Sequence, residues 1–319
     1  MDIFVTGGSG FVGGHLIERL VRDGHRVRAL ARSDRSAATV QGWGAEVVRG
    51  DLGSVSAEGL AGADAVIHAA ARAEDWGPRE AFEEVNVRGT ERVLEAARGA
   101  GVRRFVLVST EAVLFDGDDL LDVDEAASVP AEHRFPYPAT KAAAERLVLA
   151  ADSEAMTTLA IRPRLVWGPR DATVLPAVLE MARDGGFWWL DGGRHQTSTC
   201  HVHNLVEALV LALDHGEGGR AYFVTDGEDR TMRDLLTQLA ATEGVDLPGR
   251  SLPGWLGRGL AAGVEGAWGL LGREGKPPMT RFAITMMSAS VTVRDERARA
   301  ELGYRPVVAF DEGVKALAG

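Results

Sequence analysis

Residues 5–13 read Val-Thr-Gly-Gly-Ser-Gly-Phe-Val-Gly, and they follow a short apolar run at the start of the sequence. Within them Gly8, Gly10 and Gly13 satisfy the spacing G-x-G-x-x-G, and Gly7 extends the pattern to G-x-x-G-x-x-G. Such a turn between a strand and a helix binds the pyrophosphate of a dinucleotide, because glycine allows a close backbone approach and the helix N–H groups face the phosphates. The residues predicted to contact this cofactor are Gly7, Gly10, Phe11, Val12 and Gly13.

Short apolar runs alternate with amphipathic stretches throughout the first half of the chain. The predicted strands cover residues 3–6, 26–31, 46–49, 65–68, 105–109 and 158–162, and the predicted helices cover 11–23, 80–100 and 137–151. Alternating strands and helices form a parallel sheet that is covered on both faces. The sequence therefore predicts an α/β protein with a Rossmann-type doubly wound parallel sheet.

The second half of the chain has a different texture, with turns rich in glycine and proline and with clustered tryptophans. We expect an NADP-binding Rossmann domain over residues 1–166, followed by a smaller C-terminal α/β lobe over 167–319 that mainly binds the substrate. The apolar run 221–224 is expected to return to the large sheet as a late strand. The chain would then cross the domain boundary more than once.

The end of the second predicted strand indicates which dinucleotide is bound. An NAD-selective site usually places Asp or Glu there, where the carboxylate accepts hydrogen bonds from the ribose 2′-hydroxyl. Here the strand ends at Arg32 and Ser33, whose guanidinium and hydroxyl suit a 2′-phosphate instead. NADP(H) is therefore the preferred cofactor, while Asp34 leaves NAD(H) open.

Two further strand ends are expected to line the cofactor site. Asp51 and Leu52 follow the third strand, where the carboxylate is placed to accept from the adenine amino group and the leucine to cover the ring. Ala69, Ala70 and Ala71 follow the fourth strand. Their small side chains leave room for a cofactor across the strand ends, where open α/β sheets bind ligands.

Tyr137 and Lys141 are four residues apart at the start of a predicted helix, so that they share one face. A free phenol has a pKa of about 10 and is a poor base at neutral pH. A nearby ammonium stabilises the phenolate, and the tyrosine can then exchange a proton with a carbonyl or alcohol oxygen. Thr110, preferred over Ser109 at the end of the fifth strand, is expected to hydrogen-bond the substrate oxygen and orient it toward Tyr137.

The composition argues against several other functions. The formal net charge of −11 disfavours nucleic acid or an anionic membrane surface as the main partner. The single cysteine, Cys200, cannot form an internal disulfide, and no basic and apolar leader opens the sequence, so we expect a cytoplasmic protein. The apolar stretch 255–271 is too short and too interrupted to span a bilayer.

His201 and His203 alternate along a strand-like segment and are expected to face apart, so no metal site is predicted.

These motifs resemble those of extended short-chain dehydrogenases/reductases over nearly the whole chain. The segments that carry the resemblance are Thr-Gly-Gly-Ser-Gly-Phe-Val-Gly at 6–13, Asn-Val-Arg-Gly-Thr at 86–90, Tyr-Pro-Ala-Thr-Lys at 137–141, Ile-Arg-Pro-Arg-Leu-Val-Trp-Gly-Pro-Arg at 161–170, His-Val-His-Asn-Leu at 201–205 and Leu-Gly-Tyr-Arg-Pro at 302–306. Trp-Gly-Pro at 76–78 is similar to the 3β-hydroxysteroid dehydrogenase branch, which in turn looks similar to bacterial 2-alkyl-3-oxoalkanoate reductases.

The resemblance implies a reversible hydride transfer between NADP(H) and a ketone or secondary alcohol on a hydrophobic substrate that is steroid-like, 3-oxoacyl-like or another small carbonyl compound. It also implies a homodimer formed through the helices near 80–100 and 137–151. The residue roles that it implies are catalysis for Thr110, Tyr137 and Lys141, support for Asn86, and cofactor contact for Pro163 and Val166.

An alternative is a nucleotide-sugar epimerase or dehydratase that holds NAD tightly, with Arg194 gripping a diphosphate. Residues 110–115 depart from the Ser-x-x-Val-Tyr-Gly pattern of nucleotide-sugar members, and Arg32 replaces the acidic residue of NAD-retaining epimerases. Both departures favour the reductase. A non-enzymatic NADP sensor on the same fold has no need of the tyrosine–lysine pair. One further departure is Asn204, which stands where an aspartate is common in the family.

Overall fold

A computed structural model describes residues 1–273 and 275–318 of the chain. The elements of the first half are β1 (Asp2–Thr6), α1 (Phe11–Arg22), β2 (Arg26–Ala31), α2 (Asp34–Gly42), β3 (Glu46–Arg49), β4 (Ala65–His68), α3 (Arg79–Phe82), α4 (Gly89–Gly99), β5 (Arg104–Val108), β6 (Leu120–Val123), α5 (Pro136–Leu149) and β7 (Thr157–Pro163). A π-helix over Glu83–Arg88 joins α3 to α4, and a 3₁₀ turn spans Glu111–Leu114.

The second half has shorter strands. Its elements are β8 (Val166–Trp167), α6 (Val174–Arg183), β9 (Trp189–Leu190), β10 (Gln196–Thr197), β11 (Cys200–His201), α7 (Val202–Leu211), β12 (Arg220–Val224), β13 (Arg230–Thr231), α8 (Met232–Thr242), β14 (Ser251–Leu252), α9 (Gly254–Leu270), α10 (Arg281–Met287), β15 (Val291–Val293) and α11 (Phe310–Leu317). A 3₁₀ turn follows β9 at Asp191–Gly193, and a π-helix covers Ala298–Leu302. No helix within the described residues is long and apolar enough to cross a membrane.

Seven parallel strands form the large sheet, in the order β12-β7-β5-β4-β1-β2-β3. The chain runs from β1 outward to β3 and then resumes on the other side of β1 at β4. A reversal of this kind leaves a crevice at the carboxyl ends of β1 and β4, where doubly wound folds bind their ligands. One hydrophobic core lies under α1 and α7, and a second lies under α4 and α5. The predicted α/β fold class is therefore confirmed.

Each half of the chain contributes one strand to the sheet formed mainly by the other half. Strand β12, from the second half, pairs in parallel with β7 of the large sheet. Strand β6, from the first half, joins the small sheet β13-β10-β15-β6. The division of the chain into two domains at residue 166 stays a prediction.

The structure corrects two details of the predicted elements. The helix expected over 80–100 contains a π-helical stretch at Glu83–Arg88, which moves Asn86 out of the α-helical register. His201 and His203 do not face apart, because α7 begins at Val202 and ends the strand there. The centroids of their rings lie 5.0 Å apart.

Candidate active site

At two positions of the glycine turn between β1 and α1, a side chain would not fit. Gly7 has a φ of +71°, and a Cβ there would lie 2.6 Å from the backbone nitrogen of Ala70. At Gly13 a Cβ would lie 2.2 Å from the carbonyl oxygen of Gly7. These approaches are shorter than any real Cβ contact, so that both positions require glycine. The backbone at the end of β1 thus lies directly against the backbone at the end of β4.

The first turn of α1 offers unpaired N–H groups beside this turn. Gly10 is the N-cap of the helix and has no side chain with which to cap them. Its own N–H donates to Gly7 O at 3.0 Å and closes the turn. Phe11 and Val12, both partly exposed, begin the helix. Helix N–H groups with no side chain over them fit a pyrophosphate, so the residues present suit a dinucleotide.

At the expected adenosine end, Arg32 and Ser33 are exposed after β2. The Ser33 hydroxyl accepts from the N–H of Ser36 at 3.1 Å and caps α2. The Asp34 carboxylate pairs with Arg49 at 2.8 Å. Arg32 therefore lies beside the start of α2, and the neighbouring Asp34 forms a solvent-exposed ion pair with Arg49.

Asp51 and Leu52 lie after β3, as predicted, but the aspartate is already hydrogen-bonded locally. Its Oδ1 accepts from the N–H groups of Gly53 and Ser54 at 2.9 and 3.0 Å. Only Oδ2 of this carboxylate is left for an adenine amino group. Leu52 is partly buried and packs against Gly89 of α4.

Ala69 and Ala70 are half-buried and Ala71 is exposed at the end of β4. The strand end before them is fixed by His68, which is fully buried with both ring nitrogens bonded. Thr6 Oγ1 lies 2.6 Å from Nδ1, and Thr90 Oγ1 lies 2.9 Å from Nε2. Burial and the nearby Lys141 lower the pKa of His68 to about 3. His68 is therefore a neutral, hydrogen-bonded residue that stabilises the end of β4.

Tyr137 and Lys141 lie one turn apart at the start of α5, where Pro136 and Pro138 favour helix initiation. The Lys141 amine donates to the carbonyl oxygen of Val108 at 2.7 Å, and burial lowers its pKa to about 8 against an opposing effect of Glu145. Tyr137 is partly exposed, and its ring centroid lies 6.0 Å from that of Phe282 in α10. Helix α5 thus brings the pair to the carboxyl end of β5.

Asn86 is buried in the π-helix and connects α5 to the loop after β4. Its Oδ1 accepts from the N–H of Arg72 at 2.7 Å, and its Nδ2 donates to Arg72 O and to Thr140 Oγ1, both at 3.0 Å. Thr140 immediately precedes Lys141. The amide therefore braces the helix turn that carries the lysine, and π-helical turns often occur at functional sites.

Thr110 follows β5 and is the N-cap of the 3₁₀ turn. Its hydroxyl donates to Glu111 Oε2 at 2.8 Å and accepts from the N–H of Ala112 at 3.2 Å. Burial raises the pKa of the Tyr137 phenol above its usual value, and the negative charge of Glu111 raises it further, while the Thr110 hydroxyl lowers it. Thr110, Glu111 and Tyr137 are therefore neighbours in one site.

The structure contains two buried ion pairs that the sequence reasoning missed. Arg164 binds Glu111 at 2.5 Å, and Arg162 binds Glu145 at 2.5 Å. Glu145 also accepts from the Ser109 hydroxyl at 2.6 Å. The Ser109 side chain is therefore bound to Glu145, whereas the Thr110 side chain is bound to Glu111. The signal was in the sequence, because one arginine within an apolar strand and a second directly after it, next to a predicted site, require buried partners.

The last predicted contacts lie at the end of β7. Pro163 is its final residue and is buried, and Val166 begins β8 and is partly exposed. Leu165 between them has a φ of +44°, which turns the backbone sharply at the carboxyl edge of the sheet. This turn places Pro163 and Val166 on the same edge as the glycine turn.

The comparisons with known proteins agree with this architecture. The 3-beta hydroxysteroid dehydrogenase/isomerase family matches residues 4–254. A 4-hydroxy-2-methyl-3-oxo-4-farnesyl-3,4-dihydroquinoline-1-oxide ketoreductase of Stigmatella aurantiaca is 44% identical over 99% of this chain and 96% of its own. A 2-alkyl-3-oxoalkanoate reductase of Stenotrophomonas maltophilia is 37% identical over 99% of this chain and 98% of its own. The crystal structure of gox2253 superposes with a TM-score of 0.81 at 29% identity, over 99% of this chain and 97% of that one.

The doubly wound sheet, the glycine turn and these similarities define an extended short-chain dehydrogenase/reductase, an oxidoreductase that acts on CH–OH and C=O groups. Within that class, the chain belongs to the 3-beta hydroxysteroid dehydrogenase/isomerase family. A nicotinamide dinucleotide, NAD or NADP, is the cofactor typical of this family.

Proposed function

We propose that this protein is an NADP(H)-dependent oxidoreductase that interconverts a ketone and a secondary alcohol on a hydrophobic substrate. The observation that carries the proposal is the placement of Tyr137 and Lys141 one helical turn apart, with the lysine bonded to the end of β5. Thr110 stands two residues beyond that bond. A phenol, an amine and a hydroxyl thus converge at the edge of the sheet where the glycine turn also lies.

The mechanism assigns each of these groups one task. When bound, the nicotinamide supplies or receives the hydride. In reduction, the Tyr137 phenol protonates the developing alkoxide, and in oxidation the phenolate removes the alcohol proton. In this mechanism the ammonium of Lys141 stabilises the ionised phenol and so opposes the burial and the Glu111 charge that raise its pKa. Thr110 orients the substrate oxygen, and Asn86 braces the turn of α5 that carries Lys141.

The preference for NADP(H) rests on the end of β2. A 2′-phosphate there would meet the exposed Arg32 guanidinium and the start of α2. The nearby Asp34 carboxylate is paired with Arg49 and so repels a phosphate less than a lone acid does. The remaining cofactor contacts that we propose are Gly7, Gly10, Phe11, Val12, Gly13, Asp51, Leu52, Ala69, Ala70, Ala71, Tyr137, Lys141, Pro163 and Val166.

The hydrophobic character of the substrate is supported by the surroundings of Tyr137. Phe282 of α10 lies 6.0 Å from the Tyr137 ring and 5.2 Å from the ring of Phe135, centroid to centroid. Aromatic side chains beside a catalytic phenol favour apolar substrate groups. The names of the two curated relatives likewise mention farnesyl and alkyl groups.

The test is NADPH oxidation with a panel of 3-oxo esters and steroid ketones, with the Tyr137→Phe variant as the control. We expect turnover by the unaltered protein and a loss of roughly 10²- to 10⁴-fold in kcat for the variant, since an acid–base group contributes about that much. Turnover that is the same in both proteins would remove Tyr137 from the mechanism. NAD that co-purifies and binding of nucleotide sugars would instead favour an epimerase.

We also propose a homodimer formed through α4 and α5. The outer face of α4 exposes Glu91, Glu95 and Arg98, so that such an interface would be held largely by charges. A dimer of that kind weakens as salt screens the ion pairs. Light scattering at micromolar concentration should give a dimer at low salt, and a monomer under that condition contradicts the proposal.

A further inference from the structure

The hydrogen bonds of the Thr110 hydroxyl leave one lone pair of its oxygen. The contact between Thr110 Oγ1 and Glu111 Oε2 is 2.8 Å long, and the proton on it belongs to the hydroxyl, because the carboxylate bound to Arg164 accepts and does not donate. The N–H of Ala112 takes one lone pair of Oγ1 at 3.2 Å. While the neighbouring Tyr137 is a neutral phenol, Thr110 therefore has one acceptor left, and its donor is used by Glu111.

Glu111 is held in place by an ion pair with Arg164. Its other oxygen pairs with Arg164 at 2.5 Å, and the two side chains are 3% and 1% exposed. Arg164 also donates to Thr197 Oγ1 at 3.2 Å. Pulling the carboxylate away from Thr110 would leave buried charges without partners, which is costly. The Thr110–Glu111 bond is therefore a fixed feature of the site.

We propose that Glu111, fixed by Arg164, is a positioning residue that sets the hydrogen-bond polarity of Thr110, so that Thr110 accepts from the substrate oxygen instead of donating to it. This inference rests on the proposed function. It revises the usual expectation for a hydroxyl at this place, which is donation to a carbonyl oxygen. Tyr137 is then the O–H donor that meets a ketone in this site.

The consequence is a site that suits the alcohol better than the ketone. While Tyr137 is protonated, a bound alcohol accepts from Tyr137 through its oxygen and donates its own proton to Thr110, so that both groups are satisfied. A bound ketone also accepts from Tyr137, but it brings no proton for Thr110, and two oxygen lone pairs then face each other. Glu111 therefore favours the alcohol complex over the ketone complex.

The experiment compares two dead-end complexes of the unaltered protein and of the Glu111→Gln variant. The ligands are a 3-oxo ester measured with NADP⁺ and the matching 3-hydroxy ester measured with NADPH, neither of which can react. The side-chain amide of the variant can donate to Thr110 and accept from Arg164, which frees the Thr110 proton to face the site. We expect the ratio of Kd for the alcohol to Kd for the ketone to rise about 5- to 10-fold, the effect of about one hydrogen bond.

Two further variants make the result specific. Glu145→Gln removes one carboxylate from the matching Arg162 pair, which is buried to a similar degree but binds Ser109. It is expected to leave the alcohol-to-ketone ratio unchanged, because the effect of Glu145 on the Lys141 pKa acts on both complexes alike. Thr110→Val removes the hydroxyl itself without unpairing Arg164, and it is expected to raise the ratio in the same direction as Glu111→Gln. It therefore serves as the test if Glu111→Gln does not fold.

The outcomes separate this inference from the proposed function. A raised ratio in Glu111→Gln or Thr110→Val, with no change in Glu145→Gln, supports it. Equal losses of affinity for both ligands, or a ratio that falls, overturn it and leave only a structural role for Glu111. If the unaltered protein shows no NADPH oxidation that depends on Tyr137, the proposed function itself has failed.

Discussion

The amine of Lys141 donates a hydrogen bond of 2.7 Å to the carbonyl oxygen of Val108, the last residue of β5. This bond ties the start of α5 to the edge of the sheet at which parallel strands end and ligands bind. Lys141 is 3% exposed, and burial lowers its pKa to about 8. The fold thus holds the charged end of the lysine in place at the expense of its hydration.

The first prediction is that Lys141 makes the free energy of unfolding rise with pH. The folded pKa is about 8 and the unfolded value about 10.4, so that between them the unfolded chain binds more protons. The burial penalty of about 3 kcal/mol is present below about pH 8 and is relieved above it. Urea unfolding of the cofactor-free protein at about pH 7 and about pH 9.5 measures this slope.

The matched variant is Lys141→Met, which keeps an unbranched side chain and removes the charge. The change in the free energy of unfolding from about pH 7 to about pH 9.5 should be less positive in this variant, because no group at 141 titrates. Burial raises the pKa values of the Cys200 thiol and of Tyr137, so these groups oppose the rise above about pH 8.5 and about pH 10, and they do so in both proteins. Identical slopes in the two proteins would show that Lys141 does not titrate with a lowered pKa.

The second prediction concerns Gly13, whose added Cβ would lie 2.2 Å from Gly7 O. Gly13→Ala must push α1 away from the turn, and we expect a stability loss of about 1–3 kcal/mol and a loss of NADPH binding. Gly42→Ala is the control, because a Cβ at Gly42 meets nothing within 4 Å. It should be neutral or stabilising in urea unfolding. NADPH binding retained by Gly13→Ala would contradict binding of the cofactor pyrophosphate at this glycine turn.

The large sheet was predictable because its signals are local. The glycine turn at 7–13 and the apolar strands after it are read from neighbouring residues, and the observed strands agree to within one or two residues. The π-helix at Glu83–Arg88 was missed because apolar periodicity does not distinguish a single widened turn from an α-helix. For His203, the error came from taking a two-residue strand as longer than it is.

The candidate site was predictable only where one motif contains it. Tyr137 and Lys141 share a helix turn, and Thr110 follows a recognisable strand. Glu111 and Arg164 are 53 positions apart and meet only because β5 and β7 are neighbours in the sheet. Sequence shows that a buried arginine needs a partner, but the order of strands decides which carboxylate it is.

The third prediction is that Arg32 selects NADPH. Arg32→Ala removes the exposed guanidinium at the end of β2, and charge-assisted hydrogen bonds to a phosphate are worth about 1.5–3 kcal/mol. We expect KM for NADPH to rise roughly 10- to 100-fold with little change for NADH. Arg103→Ala, which removes an exposed arginine before β5, is the control and should leave both values unchanged. Equal effects on the two cofactors would contradict a 2′-phosphate contact.

The hydrogen bonds of Asn204 account for an asparagine at a position where an aspartate is common in the family. Its Nδ2 donates to Asp226 Oδ1 at 2.7 Å and to Val308 O at 2.8 Å. Its Oδ1 accepts from the N–H groups of Val307 and Val308 at 2.7 and 2.8 Å. All four hydrogen bonds of the amide are therefore made inside the protein. Only an amide can donate to Asp226 on one side and accept from backbone on the other.

The fourth prediction follows from this arrangement. Asn204→Asp loses both donors and places a second carboxylate against the buried Asp226, so we expect a stability loss of about 3 kcal/mol at neutral pH. Like charges raise the pKa of the new carboxyl, so the loss should shrink as the pH falls and that group binds a proton. Asn204→Ala, which adds no charge, should lose stability without this dependence on pH. Urea unfolding at neutral and mildly acidic pH decides the matter, and an Asn204→Asp protein as stable as the original would mean that Asp226 does not depend on the amide.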